Sequence, residues 1–300
     1  MTTKRIVVEN GAPGLPKSKG APKAYENLGF MKSRDARVVR MLCEYLEPLQ
    51  RFQRTGVRET VVMFGSARAR RPEAVKPEYE EAVAERKRLG GKTTPELKAR
   101  IDRLDMQLRL SRYYEDAAEL ARLLTVWSKS LNAGNRFVVS SGGGPGIMEA
   151  ANRGATERAG GLSAGLAISL PSEEQPNVYI TPDLLFQFHY FFMRKLWFVY
   201  LACGLVVFPG GFGTLDELFE VLTLSQTRKV DRPLPIVLYG RKFWNELIDW
   251  DALVRWGTIS PQDTKLFHVC DDPREAFNWL RGQLLHFYPR PMKWGPTSGI

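Results

Sequence analysis

The sequence predicts an α/β fold: a Rossmann-like, doubly wound parallel sheet with helices on both faces, an N-terminal helical extension and an inserted helical hairpin. Three observations carry this expectation. Short apolar runs recur at residues 59–64, 136–140, 161–170, 205–208, 235–239 and 267–270. Strands that are apolar throughout are buried on both faces, as parallel sheets require. Between these runs stand segments of helical length, at 113–131, 146–159, 189–202, 214–228, 243–256 and 273–287. Such alternation implies crossover helices on both faces. Third, two of the strand-to-helix turns are rich in glycine, the residue that lets backbone approach a ligand closely.

Taken in order, residues 1–57 read as a basic arm followed by a capping helix. Gly and Pro punctuate the first 30 positions, and apolar residues from Val38 to Phe52 recur at helical spacing. Residues 58–287 read as a single nucleotide-binding domain. A chain of 300 residues with 44% hydrophobic content can bury one sizeable core. Within that domain, 68–112 is densely charged with Gly90-Gly91 at its middle, which suggests a helical hairpin inserted between the first strand and its helix. Val178-Tyr179-Ile180 reads as a short fourth strand, and 288–300, with three prolines, as a tail.

The net charge of +10 favours anionic partners. No zinc-finger spacing or aromatic RNA-binding signature accompanies it, so a nucleic-acid partner is not expected. Cys43, Cys203 and Cys270 are far apart and form no CxxC pair, which speaks against a disulfide framework and against a metal site, and fits a reducing cytoplasm. No secretory signal is read at the N-terminus. The most hydrophobic window, 186–208, contains His189, Arg194 and Lys195 and is stopped by Pro209-Gly210-Gly211. Its uncharged part falls short of the roughly 20 residues a bilayer span needs, so it reads as a buried helix running into a buried strand, with no membrane partner.

Chemistry concentrates in the two glycine turns, Ser140 to Glu149 and Phe208 to Glu217. Both follow strands and open helices, so both belong at the carboxyl rim of the sheet, where open α/β folds bind ligands. Neither is a dinucleotide fingerprint or a Walker loop, and they suit a single phosphate. Thr214 and the N–H groups of Gly211 and Gly213 are placed to hold it, with Glu217 on the same face one turn on. That carboxylate could steady a ribosyl cation or orient water against it. The same T-x-x-E spacing is also that of a helix capping box, and both readings stand at this level. Arg194 and Lys195 interrupt an aromatic helix; Lys195 can snorkel outward, and Arg194 either contacts ligand or does likewise.

At these residues the sequence resembles the Lonely Guy family of nucleoside monophosphate phosphoribohydrolases, long mislabelled as lysine decarboxylases. The resemblance rests on PGGFGTLDE at 209–217, matching PGGxGTxxE, together with the upstream Arg194-Lys195 pair. GGGPGIMEAANRGA at 142–155 and VVMFGSAR at 61–68 extend it, so that it covers about 58–282. It implies that Arg194 and Glu217 are catalytic, and that Gly210, Gly211, Gly213 and Thr214 bind the 5′-phosphate. Ser66, Gly143, Gly144, Met148, Glu149 and Lys195 would contact the rest of the substrate. The implied reaction is hydrolysis of a nucleoside 5′-monophosphate, AMP-like or a cytokinin riboside 5′-monophosphate, to free base and ribose 5-phosphate. No metal or organic cofactor is implied, and a homodimer is. Phe191-Phe192-Met193 stand where short plant-type members carry Met-His, and the arm and insertion are additional, so the resemblance is to the longer bacterial branch. The decarboxylase label implies a lysine after histidine to anchor pyridoxal phosphate, and none of His189, His268 and His286 is followed by lysine. The competing expectation is a non-catalytic nucleotide or molybdenum-cofactor carrier on the same fold.

Overall fold

A computed structural model describes residues 22–91, 93–131, 134–170 and 175–292. The first 21 residues of the expected arm and residues 293–300 of the expected tail lie outside them. The chain divides into two compact units, Met1–Cys43 and Glu44–Ile300.

In the first unit, helix α1 (Leu28–Lys32) is capped by Asn27, whose side chain accepts from the Phe30 N–H. The Arg40 guanidinium donates to the carbonyls of Met31 and Ser33 at 2.7 and 2.6 Å. Arg40 belongs to helix α2 (Arg37–Arg54), whose residues from Glu44 onward belong to the second unit.

The second unit is built on one sheet of seven parallel strands in the order β4-β3-β2-β1-β5-β6-β7. Its elements run β1 (Thr60–Phe64), α3 (Pro72–Arg88), α4 (Pro95–Lys129), β2 (Val138–Ser141), α5 (Ile147–Ala155), β3 (Ser163–Ile168), β4 (Leu185–Phe188) and α6 (Phe191–Tyr200). Then follow β5 (Ala202–Val207), α7 (Phe212–Gln226), β6 (Ile236–Tyr239), α8 (Arg241–Leu247), α9 (Trp250–Arg255), β7 (Phe267–Cys270) and α10 (Pro273–Phe287). The chain winds outward from β1 to β4, then returns to place β5 beside β1 on the other side. β1 and β5 therefore flank the topological switch point, where the two halves diverge and leave a crevice.

Why these strands are central is plain from burial. β1, β2, β5 and β6 are buried at every position. Val61 and Met63 join one core with α4, α5 and α10. On the opposite face Phe64 packs edge-on against Phe198 of α6, and Phe52 of α2 meets Phe186 of β4. A buried ion pair sits just before β1 and β2: Arg136 Nη2 donates to Glu59 Oε1 at 3.0 Å and to the Tyr288 carbonyl at 2.7 Å. The Met292 N–H also reaches Glu59, which ties the residues after α10 to the same point.

Pro48, inside α2, has no N–H for the carbonyl four residues back. That carbonyl, of Glu44, accepts instead from Trp197 Nε1 of α6 at 2.9 Å. The Glu44 carboxylate accepts from the N–H groups of His189 and Tyr190 at 2.8 and 3.2 Å, capping the start of α6. One residue of α2 thus fixes the helix that carries Arg194.

The structure departs from the sequence expectations in three places. Val178–Ile180 is a turn, with Ile180 buried against Gly143 and Gly165, and the edge strand is Leu185–Phe188 instead. That strand alternates, burying Phe186 and Phe188 and exposing Gln187, so it is no unbroken apolar run. Second, the helix expected from residue 113 begins at Pro95, behind a Thr94 cap, and is continuous through the insertion. Its early apolar residues Leu97, Ile101 and Leu104 pack on Val75 and Ala82 of α3, so the inserted hairpin has its own small core. Third, residues 243–256 are two helices. Ile248 is extended, and Asp249 starts α9 by accepting from the Ala252 N–H. The window 186–208 resolves into α6 and β5. Among the described residues no helix is long and apolar enough to cross a membrane.

Candidate active site

The cleft lies where the fold predicts, at the carboxyl ends of β1 and β5, and encloses about 750 Å³. Its geometry begins with Ser66, directly beyond β1. The Ser66 N–H donates to the Pro209 carbonyl at 2.9 Å, and its carbonyl accepts from the Ile147 N–H at 3.1 Å. One peptide position thereby ties together both glycine turns.

The two turns differ in consequence. At the first, Gly146 has φ +72° and sits against Ser66 and Ala67, where a Cβ would collide with backbone. At the start of α5 the Ile147 N–H is already spent on Ser66. Gly143 and Gly144 turn their carbonyls to Asn177 Nδ2 at 3.0 Å each, and the Gly143 N–H donates to Ser141 Oγ at 3.0 Å. Asn152 braces the same loop, its Oδ1 accepting from Ser141 and Asn177. Gly142 and Met148 line the cleft; Gly143 and Gly144 do not.

At the second turn the α7 N-terminus is open. Its cap position is Gly211, and no side chain caps it. A Cβ on Gly211 or Gly213 would meet nothing within 4 Å. The first-turn N–H groups of a helix have no intrahelical acceptor, and together with the helix dipole they form an anion site. Gly210, Gly211, Gly213 and Thr214 all line the cleft here. Because α7 starts at Phe212, Thr214 lies inside the first turn and not at the cap, so the capping-box geometry is not adopted.

In the same cleft Arg194 of α6 and Glu217, one turn further along α7, face each other, Nη2 to Oε1 at 3.4 Å, their side chains 15% and 4% exposed. The Arg194 guanidinium is flanked by the rings of Phe191 and Phe198, 5.2 and 5.6 Å from their centroids. Its buried Nε has no acceptor among the described residues. Burial pushes the Glu217 carboxyl above the usual glutamate range, against the pull of Lys195 and Arg194. Burial likewise works against the Arg194 charge and lowers its pKa, partly offset by Glu217.

Besides Gly143 and Gly144, two further sequence-nominated residues stand elsewhere. Glu149 accepts from Arg71 at 2.7 Å and from the Tyr114 hydroxyl at 2.8 Å, while Arg71 also donates to the Tyr179 hydroxyl at 2.7 Å. This cluster latches the start of the hairpin to α5 and keeps Glu149 out of the cleft. Lys195 turns away from the cleft toward α7. The sequence reading missed Arg68, Leu110, Phe198, Phe243 and Leu247, which complete the cleft wall. Leu110 lies on the part of α4 that belongs to the insertion, and nothing in local sequence announces that it folds back over β1. Phe212, at the rim, is 93% exposed. Among the described residues no three His, Cys, Asp or Glu side chains come together to hold a metal.

Residues 148–280 match a family described as possible lysine decarboxylase. Three curated proteins, the pyrimidine/purine nucleotide 5′-monophosphate nucleosidases of Escherichia coli strains K12, O6:H1 and O157:H7, are each 33% identical over 117 residues. The match covers 35% of this chain and only 24% of those proteins, so the chain spans about a quarter of their length. The solved structure of a molybdenum cofactor carrier protein from Chlamydomonas reinhardtii is similar at 16% identity, covering 76% of this chain and 99% of that one. Its TM-score of 0.38 is too low to bear on the fold or on function. The family-matched segment contains Arg194, the open turn of α7 and Glu217, so the likeness falls on residues that line the cleft.

Proposed function

We propose that the chain hydrolyses the N-glycosidic bond of a nucleoside 5′-monophosphate, AMP-like or a cytokinin riboside 5′-monophosphate, giving free base and ribose 5-phosphate. The observation that carries this reading is the buried Arg194–Glu217 pair lining the same cleft as the uncapped turn of α7. The printed name of the partial Escherichia coli relatives supports the same class of reaction.

In this reading the 5′-phosphate sits on the first-turn N–H groups of α7, with the Thr214 hydroxyl beside it. Cleavage breaks the bond between C1′ and the base nitrogen, leaving positive charge on the ribosyl ring. The Glu217 carboxylate faces that charge in a water-poor site, where its attraction is strong. It also takes a proton from the water whose oxygen bonds to C1′, and that proton passes on to the departing base nitrogen, which restores the carboxylate. The Arg194 guanidinium favours the ionised form of Glu217 against the effect of burial and keeps it aimed.

The test is chromatographic product analysis over AMP, CMP, GMP, IMP and isopentenyl-AMP. Free base and ribose 5-phosphate are expected from at least one of them. Glu217→Ala should lower kcat by about a hundredfold or more while binding of inorganic phosphate, read by calorimetry, survives. Tight nucleotide binding with no product after long incubation would replace this reading with that of a non-catalytic nucleotide carrier.

A further inference from the structure

Lys195 follows Arg194 on α6, about 100° further round the helix, and its ammonium points to α7 instead of the cleft. Three carboxylates surround it there. Nζ lies 2.8 Å from Asp216 Oδ2, 2.9 Å from Glu220 Oε2 and 3.5 Å from Glu217 Oε2. An ammonium has three donors, so a lysine facing three acidic side chains has none left for a phosphate. Glu217 is in turn held from both sides, by Arg194 at Oε1 and by Lys195 at Oε2.

We propose that Lys195 is a positioning residue, anchored by Asp216 and Glu220, that orients the Glu217 carboxylate toward Arg194 and the cleft and does not touch the substrate. The proposal rests on the reading of Glu217 as the reacting carboxylate. The charged groups around Glu217 are Arg194 and Lys195 from α6 and Asp216 and Glu220 on its own helix. Burial raises the Glu217 carboxyl; Lys195 and Arg194 lower it, and the two acidic neighbours raise it further. For Lys195, burial alone would lower the ammonium, but Asp216 and Glu220 outweigh it and raise it. Removing the lysine therefore raises Glu217, and removing Glu220 lowers it.

The experiment compares wild type with Lys195→Gln, Lys195→Arg and Glu220→Gln. Titration of Glu217 is followed by carbon-13 NMR of glutamate-labelled, ligand-free protein, alongside kcat/KM against pH for the best substrate. The carboxylate is the working form, so wild-type activity should rise with pH through a midpoint above the ordinary glutamate range and vanish below it. In Lys195→Gln both the titration and this acid limb move to higher pH, and KM measured above the limb stays within about threefold. Lys195→Arg restores both toward wild type, and Glu220→Gln moves both to lower pH. A KM raised at every pH with an unmoved titration would make Lys195 a substrate ligand and overturn the proposal. A uniform loss of activity with no titration shift would overturn it too. Should Lys195→Gln fail to fold, Glu220→Gln decides, because an unmoved or upward shift contradicts the proposed arrangement. If the wild type turns over no nucleotide, the hydrolase reading fails while the ligand-free titration still tests the lysine's role.

Discussion

Glycines that look alike in sequence do different work in the two turns. Gly146 is required by the fold: at φ +72°, against Ser66 and Ala67, alanine would be both strained and crowded. Gly146→Ala should cost about 1–3 kcal/mol, read by denaturant unfolding. Gly211 faces open space, so Gly211→Ala should leave stability within about 0.5 kcal/mol. Its new methyl would stand where the phosphate is proposed to sit, and KM should rise about tenfold, a loss of about 1.4 kcal/mol. If both variants behaved alike, the distinction between a closed and an open turn would be wrong. Sequence spacing could nominate all these glycines but could not rank them, because the ranking depends on Ser66, some 80 positions upstream. The same limit applies to Glu149. Its likeness to Glu217, both acidic beyond a glycine turn, is genuine in sequence, and only Arg71 and Tyr114 reveal that it is a latch.

Among elements, those with one simple cue were legible and those with two competing cues were not. The central strands were found because each carries a short apolar or β-branched run that is soon stopped by glycine or proline. The edge strand β4 was missed because it is wet on one side and alternates. The long α4 was cut short because charge dominates its first half, although Thr94-Pro95-Glu96 carries a start signal. The capping of α6 by Glu44 was invisible, since that pair is 145 residues apart. Glu44→Ala would uncap α6 at a cost of about 1 kcal/mol, lowering Tm by about 2–4 °C. Because α6 carries Arg194, kcat should fall as well. A drop in Tm with wild-type kcat would show that the cap stabilises the helix without placing the guanidinium.

For the whole molecule, the parallel architecture was legible because strand and helix cues alternate along most of the chain, whereas the closing of its far edge was not. Glu59 and Arg136 lie buried next to β1 and β2, and they also engage the Tyr288 carbonyl and the Met292 N–H. Deleting one partner leaves an uncompensated charge in the interior. Glu59→Ala should therefore destabilise by about 3–5 kcal/mol in chemical denaturation, while Glu59→Leu combined with Arg136→Met should regain most of it. An additive double variant would mean the pair is not coupled. At the opposite rim, the Ser66 peptide has both of its hydrogen-bonding groups engaged by protein, one for each glycine turn. The Ser66 peptide therefore has no group to spare, whereas the α7 N-terminus beside β5 carries no side-chain cap. The crevice thus has two chemically unlike ends, polar N–H groups beside β5 and the apolar Met148 side chain beyond β2, an asymmetry that is set before any guest arrives.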